Sequence, residues 1–235
     1  MKRFYKDVTV EQGAGGWQVM LDGRGIKTVQ GKPQLLPTQA LAEMLAAEWS
    51  AQGDKIDPAT FPLRDMADYA IDVVPTDPAS VIAKLCEYGE TDTLLYRADP
   101  DEPLYARQQE VWEPIVAGFE QREGVKFKRV SGIMHVDQDA AALETLRARM
   151  EGFAPFTLAG LELMTSLAAS LIIGLAATGE DADADTLWDA ASLEENWQAD
   201  LWGRDEEAEE RRAKRRDDFL HAHAFTFAAT GATGG

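Results

Sequence analysis

The pattern of apolar and polar positions divides the chain into two parts. In the first forty residues apolar positions alternate with polar ones, which indicates β-strands, and Asp22-Gly23 supplies a hairpin turn. Further along, apolar residues recur every three or four positions, the spacing of one helix face. The predicted strands are 4–10, 17–21, 25–29 and 125–130, and the predicted helices are 39–52, 63–74, 78–88, 104–119, 139–150 and 185–223.

Capping and helix-breaking residues refine this layout. Thr38 is a preferred N-cap residue for the first helix, and Pro114 must kink or split the apolar helical stripe in which it lies. The predicted fold class is therefore α+β. We expect a small β-rich N-terminal domain with one helix at residues 1–60. A larger α-helical, orthogonal-bundle-like C-terminal domain is expected at residues 61–235, with a frayed tail from about residue 224.

The uncharged run Leu163–Gly179 requires comparison with a membrane-spanning helix. It is 17 residues long and lies between Glu162 and Glu180, whereas a spanning helix needs about 20 apolar residues. The run also contains several hydroxyl side chains. We therefore predict a buried core helix and no membrane insertion.

The net charge argues against two kinds of partner. The 235 residues include 23 Lys or Arg and 41 Asp or Glu, which gives a net charge of −18 at pH 7. Binding to nucleic acid or to an anionic membrane requires clustered cations, so neither partner is expected. With 45% hydrophobic residues the chain can fill a core, which excludes disorder along its whole length.

The titratable residues form no familiar catalytic or metal-binding pattern. Cys86 is the single cysteine and fits a buried structural thiol in a reducing compartment. His221 and His223 lie two positions apart on a predicted helix, whereas a helical metal pair needs a spacing of four. We expect no catalytic residues, no metal site and no cofactor. A hydrolase that uses scattered carboxylates and His135 stays open as an alternative.

Six tryptophans fall into two groups. Three of them lie in apolar patterns, where core packing is the expected role: Trp17, Trp49 and Trp112. The other three crowd a short acidic stretch near the C-terminus: Trp188, Trp197 and Trp202. Because tryptophan is rarely buried completely and is enriched at binding surfaces, the second group fits partner binding as well as it fits packing.

Residues 205–216 place an acidic block before a basic one. On a helix this brings Glu207 beside Arg211 and Glu210 beside Lys214, pairs that each stabilise a helix slightly. Acidic residues first and basic residues later also suit the helix dipole. A solvated helix face explains this block better than a partner-binding patch does.

A series of short motifs follows in order from residue 3 to about residue 206. The motifs are Arg3-Phe4-Tyr5-Lys6, Gly16-Trp17, Leu21-Asp22-Gly23-Arg24, Leu36-Pro37-Thr38, Leu41-Ala42, Glu48-Trp49, Phe61-Pro62-Leu63, Ala70-Ile71-Asp72, Thr91-Asp92-Thr93, Tyr96-Arg97-Ala98, Gln108, Trp112-Glu113-Pro114, Ser170-Leu171-Ile172, Leu193-Glu194-Glu195, Gln198 and Trp202-Gly203. Taken together, they resemble the family of assembly chaperones that handle the alpha subunit of the ATP synthase catalytic head. The resemblance covers nearly the whole chain.

The resemblance implies a role without catalysis and without a cofactor. A chaperone of this family binds the unassembled alpha subunit, shields the surface that the beta subunit later covers, and is displaced during assembly of the alpha–beta ring. The family also combines a β-rich N-terminal domain with a helical C-terminal domain. An acidic adaptor for another protein client is the second alternative, because the composition fits it equally well.

Residue roles follow from the same resemblance. The candidate partner-binding residues are Trp197, Gln198, Trp202, Gly203 and Glu206. The candidate structural residues of the motifs are Trp17, Trp49, Asp72, Arg97, Trp112 and Pro114. Which acid of Arg204-Asp205-Glu206-Glu207 matches the family position stays open.

The compartment is inferred from the N-terminal sequence. Eukaryotic members of the family act in the mitochondrial matrix and carry a presequence, which the first residues, MKRFYKDVTV, do not resemble. We therefore expect a bacterial, cytoplasmic protein. The mitochondrial matrix is expected only if a presequence is missing from this sequence.

Overall fold

The computed structural model describes residues 1–132 and 134–231. Within them the chain forms an antiparallel three-stranded sheet, a two-stranded parallel pair and a series of α-helices, so the predicted α+β class is confirmed. None of these helices has the length and apolar content needed to cross a membrane. The elements are β1 (Val8–Gly13), β2 (Gly16–Leu21), β3 (Arg24–Gly25), α1 (Gln39–Ser50), α2 (Pro62–Asp72), α3 (Pro78–Glu90), β4 (Tyr96–Arg97), α4 (Pro103–Glu123), β5 (Val130–Ser131), α5 (Ala140–Glu151), α6 (Pro155–Ala168), α7 (Leu171–Ala176), α8 (Ala184–Ala191), α9 (Leu193–Trp202) and α10 (Glu206–Thr230).

The described chain divides into two compact units. The first contains Met1–Pro78, Ala154–Gly160 and the residues from His221 onward. The second contains Ala79–Phe153 and Leu161–Leu220. These units differ from the predicted division after residue 60, because α2 and two later stretches belong to the first unit. The sequence pattern does not show that segments near the C-terminus belong to the same compact unit as the N-terminal residues.

The sheet of the first unit is built from β1, β2 and β3 in that order. The predicted turn at Asp22-Gly23 is present, and both residues have positive φ values of 49° and 74°, as a two-residue hairpin turn requires. β1 begins at Val8 rather than at residue 4, because the backbone N–H groups of Lys6 and Asp7 donate to the Asp22 carboxylate instead of to a strand. β3 is likewise shorter than the predicted strand 25–29.

Helix α1 begins as predicted, with the Thr38 hydroxyl accepting a hydrogen bond from the Leu41 N–H at 3.1 Å. It ends at Ser50, before the predicted position. Its Trp49 side chain is buried between Tyr5 and Phe61, with ring centroids 5.6 and 4.6 Å away.

Glu48 joins α1 to α2 through the backbone. Its carboxylate accepts hydrogen bonds from the N–H groups of Leu63 at 2.7 Å and Arg64 at 3.0 Å, in the first turn of α2. Burial raises the pKa of this carboxyl to about 7, although the two hydrogen bonds oppose the shift. The acid therefore serves as a remote cap for a helix whose preceding residue, Phe61, supplies none.

The late segments of the first unit are helical and packed. Phe156 of α6 stacks on the buried Phe225 of α10 at 5.9 Å. A methyl group at Gly160 would overlap the Thr226 hydroxyl, so these helices approach closely at a glycine. The prediction of a frayed tail from about residue 224 is wrong as far as Thr230, because α10 continues and buries its apolar residues.

The apolar run in the second unit is not one helix as predicted. α6 ends at Ala168, Ala169 adopts a left-handed φ of 47°, and α7 begins after Ser170. The fully buried Asp92 causes this break, since its carboxylate accepts a hydrogen bond from the Ile172 N–H at 2.9 Å. The Ser170 hydroxyl accepts a further bond from the Ile173 N–H at 3.0 Å. Burial of α7 was predicted correctly.

The predicted strand at 125–130 is mostly wrong. Only Val130 and Ser131 pair, in parallel with Tyr96 and Arg97. The N–H of Phe127 instead donates to the Glu120 carboxylate at 2.7 Å. A side chain thus replaces a neighbouring strand as the hydrogen-bonding partner of this segment.

Helix α4 runs unbroken through Pro114, whose side chain is exposed, so the proline does not split the helix. Trp112 is completely buried and donates from Nε1 to the carbonyl of Ala190 at 2.8 Å.

The predicted helix 185–223 is instead three helices, α8, α9 and α10. Its interruptions fall at Ser192 and at 203–205.

Asp92 predicts a specific pH dependence of stability. Burial raises its pKa to about 6, although hydrogen bonds oppose the shift, whereas an unfolded aspartate titrates near pH 4. The folded chain therefore binds more protons between about pH 4 and pH 6, and the free energy of unfolding falls as the pH rises through this window. We expect Asp92→Asn to remove about 2 kcal/mol of the difference in unfolding free energy between pH 4.5 and pH 7.

Urea unfolding at the two pH values measures this difference. Asp139→Asn is the matched control, since Asp139 caps α5 from an exposed position and should leave the difference unchanged. A wild-type pH dependence in Asp92→Asn would contradict the assignment.

Candidate partner-binding site

The junction between α9 and α10 contains most of the candidate residues. α9 ends at Trp202, and Gly203 adopts φ 96° and ψ 160°, a conformation open essentially only to glycine. The Asp205 carboxylate accepts a hydrogen bond from the Ala208 N–H at 2.9 Å and so caps α10. The acidic first turn of α10 suits the helix dipole. The glycine and the cap explain why the predicted continuous helix is interrupted here.

Arg204 holds the two sides of this junction together. Its guanidinium lies 3.1 Å from the Asp200 carboxylate on α9 and 3.3 Å from the Glu209 carboxylate on α10. The hydrogen bond with Asp200 and the charge of Glu209 raise the pKa of Arg204. Because all three side chains are solvated, these pairs set geometry more than they add stability.

Glu195 of α9 forms ion pairs with α10. It lies 2.7 Å from Arg215 and 3.7 Å from Arg212, and Arg212 also pairs with Glu209 of its own helix at 2.7 Å. The Arg215 guanidinium also lies 5.5 Å from the ring centroid of Trp188. Trp188 itself is buried against Phe219, so it packs in the core rather than forming part of an exposed cluster.

A shallow cavity of about 410 Å³ lies between α9 and α10. Its lining residues are Glu195, Gln198, Ala199, Trp202, Gly203, Asp205, Ala208, Glu209, Arg211, Arg212 and Arg215. Two large apolar side chains at the end of α9 are mostly in solvent: Leu201 is 63% exposed and Trp202 is 86% exposed. We call Leu201 and Trp202 the apolar knob. An apolar knob within a charged rim is the arrangement of a protein-binding hot spot.

The structure brings together three of the five candidate partner-binding residues. Gln198, Trp202 and Gly203 line the cavity. Glu206 is exposed as the first residue of α10, directly after the lining residue Asp205. Trp197 is half-buried and lines another cavity of about 390 Å³, whose walls include residues of α4, α8 and α9.

Some residues of the cavity and of the apolar knob were not among the sequence candidates. Leu201 of the knob does not line the cavity, and in the sequence it was only an apolar residue in a polar helix. Arg211 and Arg212 lie in the basic block that was interpreted as a solvated face, and they line the cavity. The expected Glu207–Arg211 pair is present at 3.4 Å. The expected partner of Lys214 is wrong, because Lys214 pairs with Asp218 at 2.7 Å rather than with Glu210.

The candidate structural residues lie elsewhere and make internal contacts. Trp17 is half-buried in β2, and its backbone exchanges two hydrogen bonds of 2.8 Å with Leu36. Asp72 is buried and accepts a hydrogen bond from the Gln30 N–H at 3.2 Å. Arg97 is buried and pairs with Glu113 at 2.8 Å. Burial opposes ionisation of Glu113, but Arg129 and Arg97 outweigh it and lower the pKa of that carboxyl.

His135 and Cys86 are the other reactive side chains that the sequence singles out. His135 is exposed, and its ring nitrogens lie 3.0 Å from the Tyr96 hydroxyl and 3.0 Å from the Asp137 carboxylate. Cys86 is buried, and burial raises the pKa of its thiol, as suits the predicted structural role. Over residues 1–132 and 134–231, no cluster of three or more His, Cys, Asp or Glu residues is placed to hold a metal ion.

The fold and the junction describe an α+β protein with an exposed apolar knob, and comparison with known proteins identifies its family. The family described as ATP12 chaperone protein matches residues 2–120. The mitochondrial atp12 protein of Schizosaccharomyces pombe is 25% identical over 221 residues, covering 89% of this chain and 76% of the relative. The mitochondrial ATP12 protein of Saccharomyces cerevisiae is 26% identical over 274 residues, covering 97% of this chain and 83% of the relative.

Solved structures agree over almost the whole chain. The crystal structure of Atp12 from Paracoccus denitrificans is 37% identical, with a TM-score of 0.91 and coverage of 97% of this chain and 98% of that chain. The Atu1473 protein of Agrobacterium tumefaciens is also 37% identical, with a TM-score of 0.92 and coverage of 97% and 85%. The chain belongs to the ATP12 chaperone family. This family acts in assembly of the ATP synthase, as the sequence resemblance implied.

Gly203 provides a test of the junction itself. No neighbouring atom lies within 4 Å of the position a Cβ would take, so Gly203→Ala costs only backbone strain, about 1–3 kcal/mol. We expect a lower Tm and faster hydrogen exchange in the last turn of α9. Gly118→Ala in α4 is the matched control, because Gly118 also has open space around it but does not have a positive φ. A Tm for Gly203→Ala as high as that of the control would contradict the strained turn.

Proposed function

We propose that the chain binds the unassembled alpha subunit of the ATP synthase, prevents its aggregation and releases it to the beta subunit. Membership of the ATP12 chaperone family supports this proposal. The observation that carries the choice of surface is the apolar knob, which leaves the Trp202 side chain 86% exposed among paired charges. In this role the chain has no catalytic function and uses no cofactor.

The physical requirements of the role match this surface. An orphan subunit exposes an interface that resembles a domain core, large and apolar. A shield must cover part of it and still be displaced by the true partner, which favours a few aromatic anchors within a polar rim. The net charge of −18 opposes self-association of a chaperone that presents apolar groups.

The candidate residues take distinct roles in this proposal. Trp202 supplies the anchor, and Gly203 turns the chain so that the knob stands clear of α10. Gln198 contributes a polar contact from within the cavity. Glu206 contributes a rim charge, and Trp197 extends the surface along α9 toward the second cavity.

The compartment proposed is the bacterial cytoplasm. Paracoccus denitrificans and Agrobacterium tumefaciens, the sources of the similar solved structures, are bacteria. The yeast relatives are mitochondrial. Fractionation of the source cells tests this assignment, and recovery of the chain from a mitochondrial matrix would contradict it.

Trp202→Ala separates binding from folding. Because the side chain is exposed in the free chain, we expect an unchanged Tm and at least a tenfold loss, about 1.4 kcal/mol, in affinity for the alpha subunit. The measurement is co-elution of the two proteins in size-exclusion chromatography, with light scattering to follow aggregation of the alpha subunit. Val29→Ala is the matched control, since Val29 is 87% exposed in the first unit. Equal binding by both variants would show that the apolar knob does not contribute to alpha-subunit binding.

Glu206→Lys tests whether the charged rim around the apolar knob contributes to alpha-subunit binding. We expect reduced alpha-subunit binding with little change in stability, because Glu206 is exposed and a reversed rim charge acts mainly on association. Glu151→Lys makes the same charge change at the exposed end of α5 and should bind normally. If the wild-type chain forms no complex with the alpha subunit at all, an unbiased pull-down then tests the adaptor alternative, and His135→Ala tests the hydrolase alternative.

A further inference from the structure

The first unit contains a cavity that the proposed function does not use. It has a volume of about 510 Å³ and lies beside the β2–β3 hairpin and the chain's first residues. Tyr5, Leu21, Ile26 and Trp49 line it with side chains that are nine-tenths buried or more. Phe4 also lines it and is 61% exposed. The cavity thus has an apolar floor and an exposed aromatic side chain at its mouth.

Charge around this cavity is opposite to that of the chain as a whole. The first 32 residues hold six Lys or Arg and three Asp or Glu, a net charge of +3 in a chain whose net charge is −18. Arg24 and Lys27 line the cavity, and both are exposed. Among the ion pairs within the described residues, none involves either side chain within 4 Å. Asp22 also lines the cavity and interacts electrostatically with Arg24 at longer range, so the lining carries a net charge of +1 that favours an incoming anion.

One of the lining residues, Trp49, also carries an unsatisfied donor. Nε1 of Trp49 is buried and has no hydrogen-bond acceptor among the described residues. By contrast, the indole of Trp112 donates to a backbone carbonyl. Buried indole N–H groups usually find an acceptor, so an unpaired one beside a cavity favours a ligand with a carbonyl or carboxylate oxygen.

We propose that this cavity binds an acidic protein segment that inserts one aliphatic or aromatic side chain against Tyr5 and Trp49. Arg24 and Lys27 pair with carboxylates that flank the inserted side chain. The Trp49 N–H donates to an oxygen of the segment after a small adjustment of the indole. The assignment is independent of the alpha-subunit surface, because it rests on residues 4–49 alone.

Charge complementarity selects this occupant over the others. Nucleic acid binding requires many clustered cations along a phosphate backbone, whereas the cavity lining offers two, Arg24 and Lys27. An uncharged apolar segment would leave Arg24 and Lys27 unused. A second copy of this chain is also acidic and is distinguished by the test below.

The test uses the full chain and a synthetic peptide. The probe is acetyl-Glu-Asp-Glu-Leu-Phe-Asp-Glu-Asp-amide, and the comparison peptide replaces the central Leu-Phe with Ser-Ser. Nitrogen-15 spectra report the indole N–H resonances, and Trp49→Phe assigns the one from Trp49. We expect a saturable shift of the Trp49 resonance with the first peptide and at least a tenfold weaker response to the serine peptide.

Charge-reversal variants locate the binding site. The double variant R24E/K27E changes two exposed side chains, so it should fold normally and lose at least about tenfold in affinity. The double variant K128E/K214E changes the net charge by the same amount at two exposed positions of the second unit and should bind the peptide like the wild type.

Three outcomes would overturn the proposal: equal binding of the two peptides, loss of binding in K128E/K214E but not in R24E/K27E, or no shift at Trp49. Self-association of the chain that R24E/K27E abolishes, measured by sedimentation, would assign the cavity to a second copy and would overturn it too. Phe4→Ser supplies a further check, with weaker peptide binding expected at an unchanged Tm.

Discussion

The fold depends on two carboxylates, one half-buried and one fully buried, that accept hydrogen bonds from backbone amides at helix starts. The first N–H groups of a helix have no partner inside the helix, and leaving one buried and unpaired costs about 1–3 kcal/mol. Glu48 supplies acceptors to the start of α2, and Asp92 does so for α7. Burial raises the pKa of both acids, so each ionised cap forms against a desolvation cost. Through these hydrogen bonds, each acid links two segments of the same compact unit that are separated in sequence.

The same need for internal hydrogen-bond partners explains which contacts the sequence motifs specify. Gln108 of one motif donates to Glu194 of another at 2.6 Å, and Arg97 pairs with Glu113 in the same way. Asp92 likewise belongs to one motif and caps the segment formed by another. The motifs that make the family recognisable therefore specify internal pairings. They specify the proposed binding surface much less well, because an exposed side chain such as Trp202 needs no internal partner.

Local features were predictable and distant ones were not. The hairpin at Asp22-Gly23 and the cap at Thr38 each depend on a few neighbouring residues, and both were predicted correctly. The break at Ala169 depends on an acid some eighty residues earlier, so the pattern indicated one continuous apolar helix. In the candidate site, Gln198 and Trp202 meet because they are four positions apart on α9. Trp197 lines a cavity together with residues of α4, a long-range arrangement that periodicity does not show.

The exposed position of Trp202 has a consequence for release. In the free chain this side chain contributes little burial, so the affinity of the proposed surface and the stability of the fold can vary independently. The surrounding ion pairs, such as that of Arg204 with Asp200, are solvated and cost little to rearrange. A surface with one strong anchor and a weakly held rim reaches useful affinity without the large, tightly packed area of a permanent complex. A subunit that offers a larger apolar interface can then displace the chaperone without any energy source beyond its own binding.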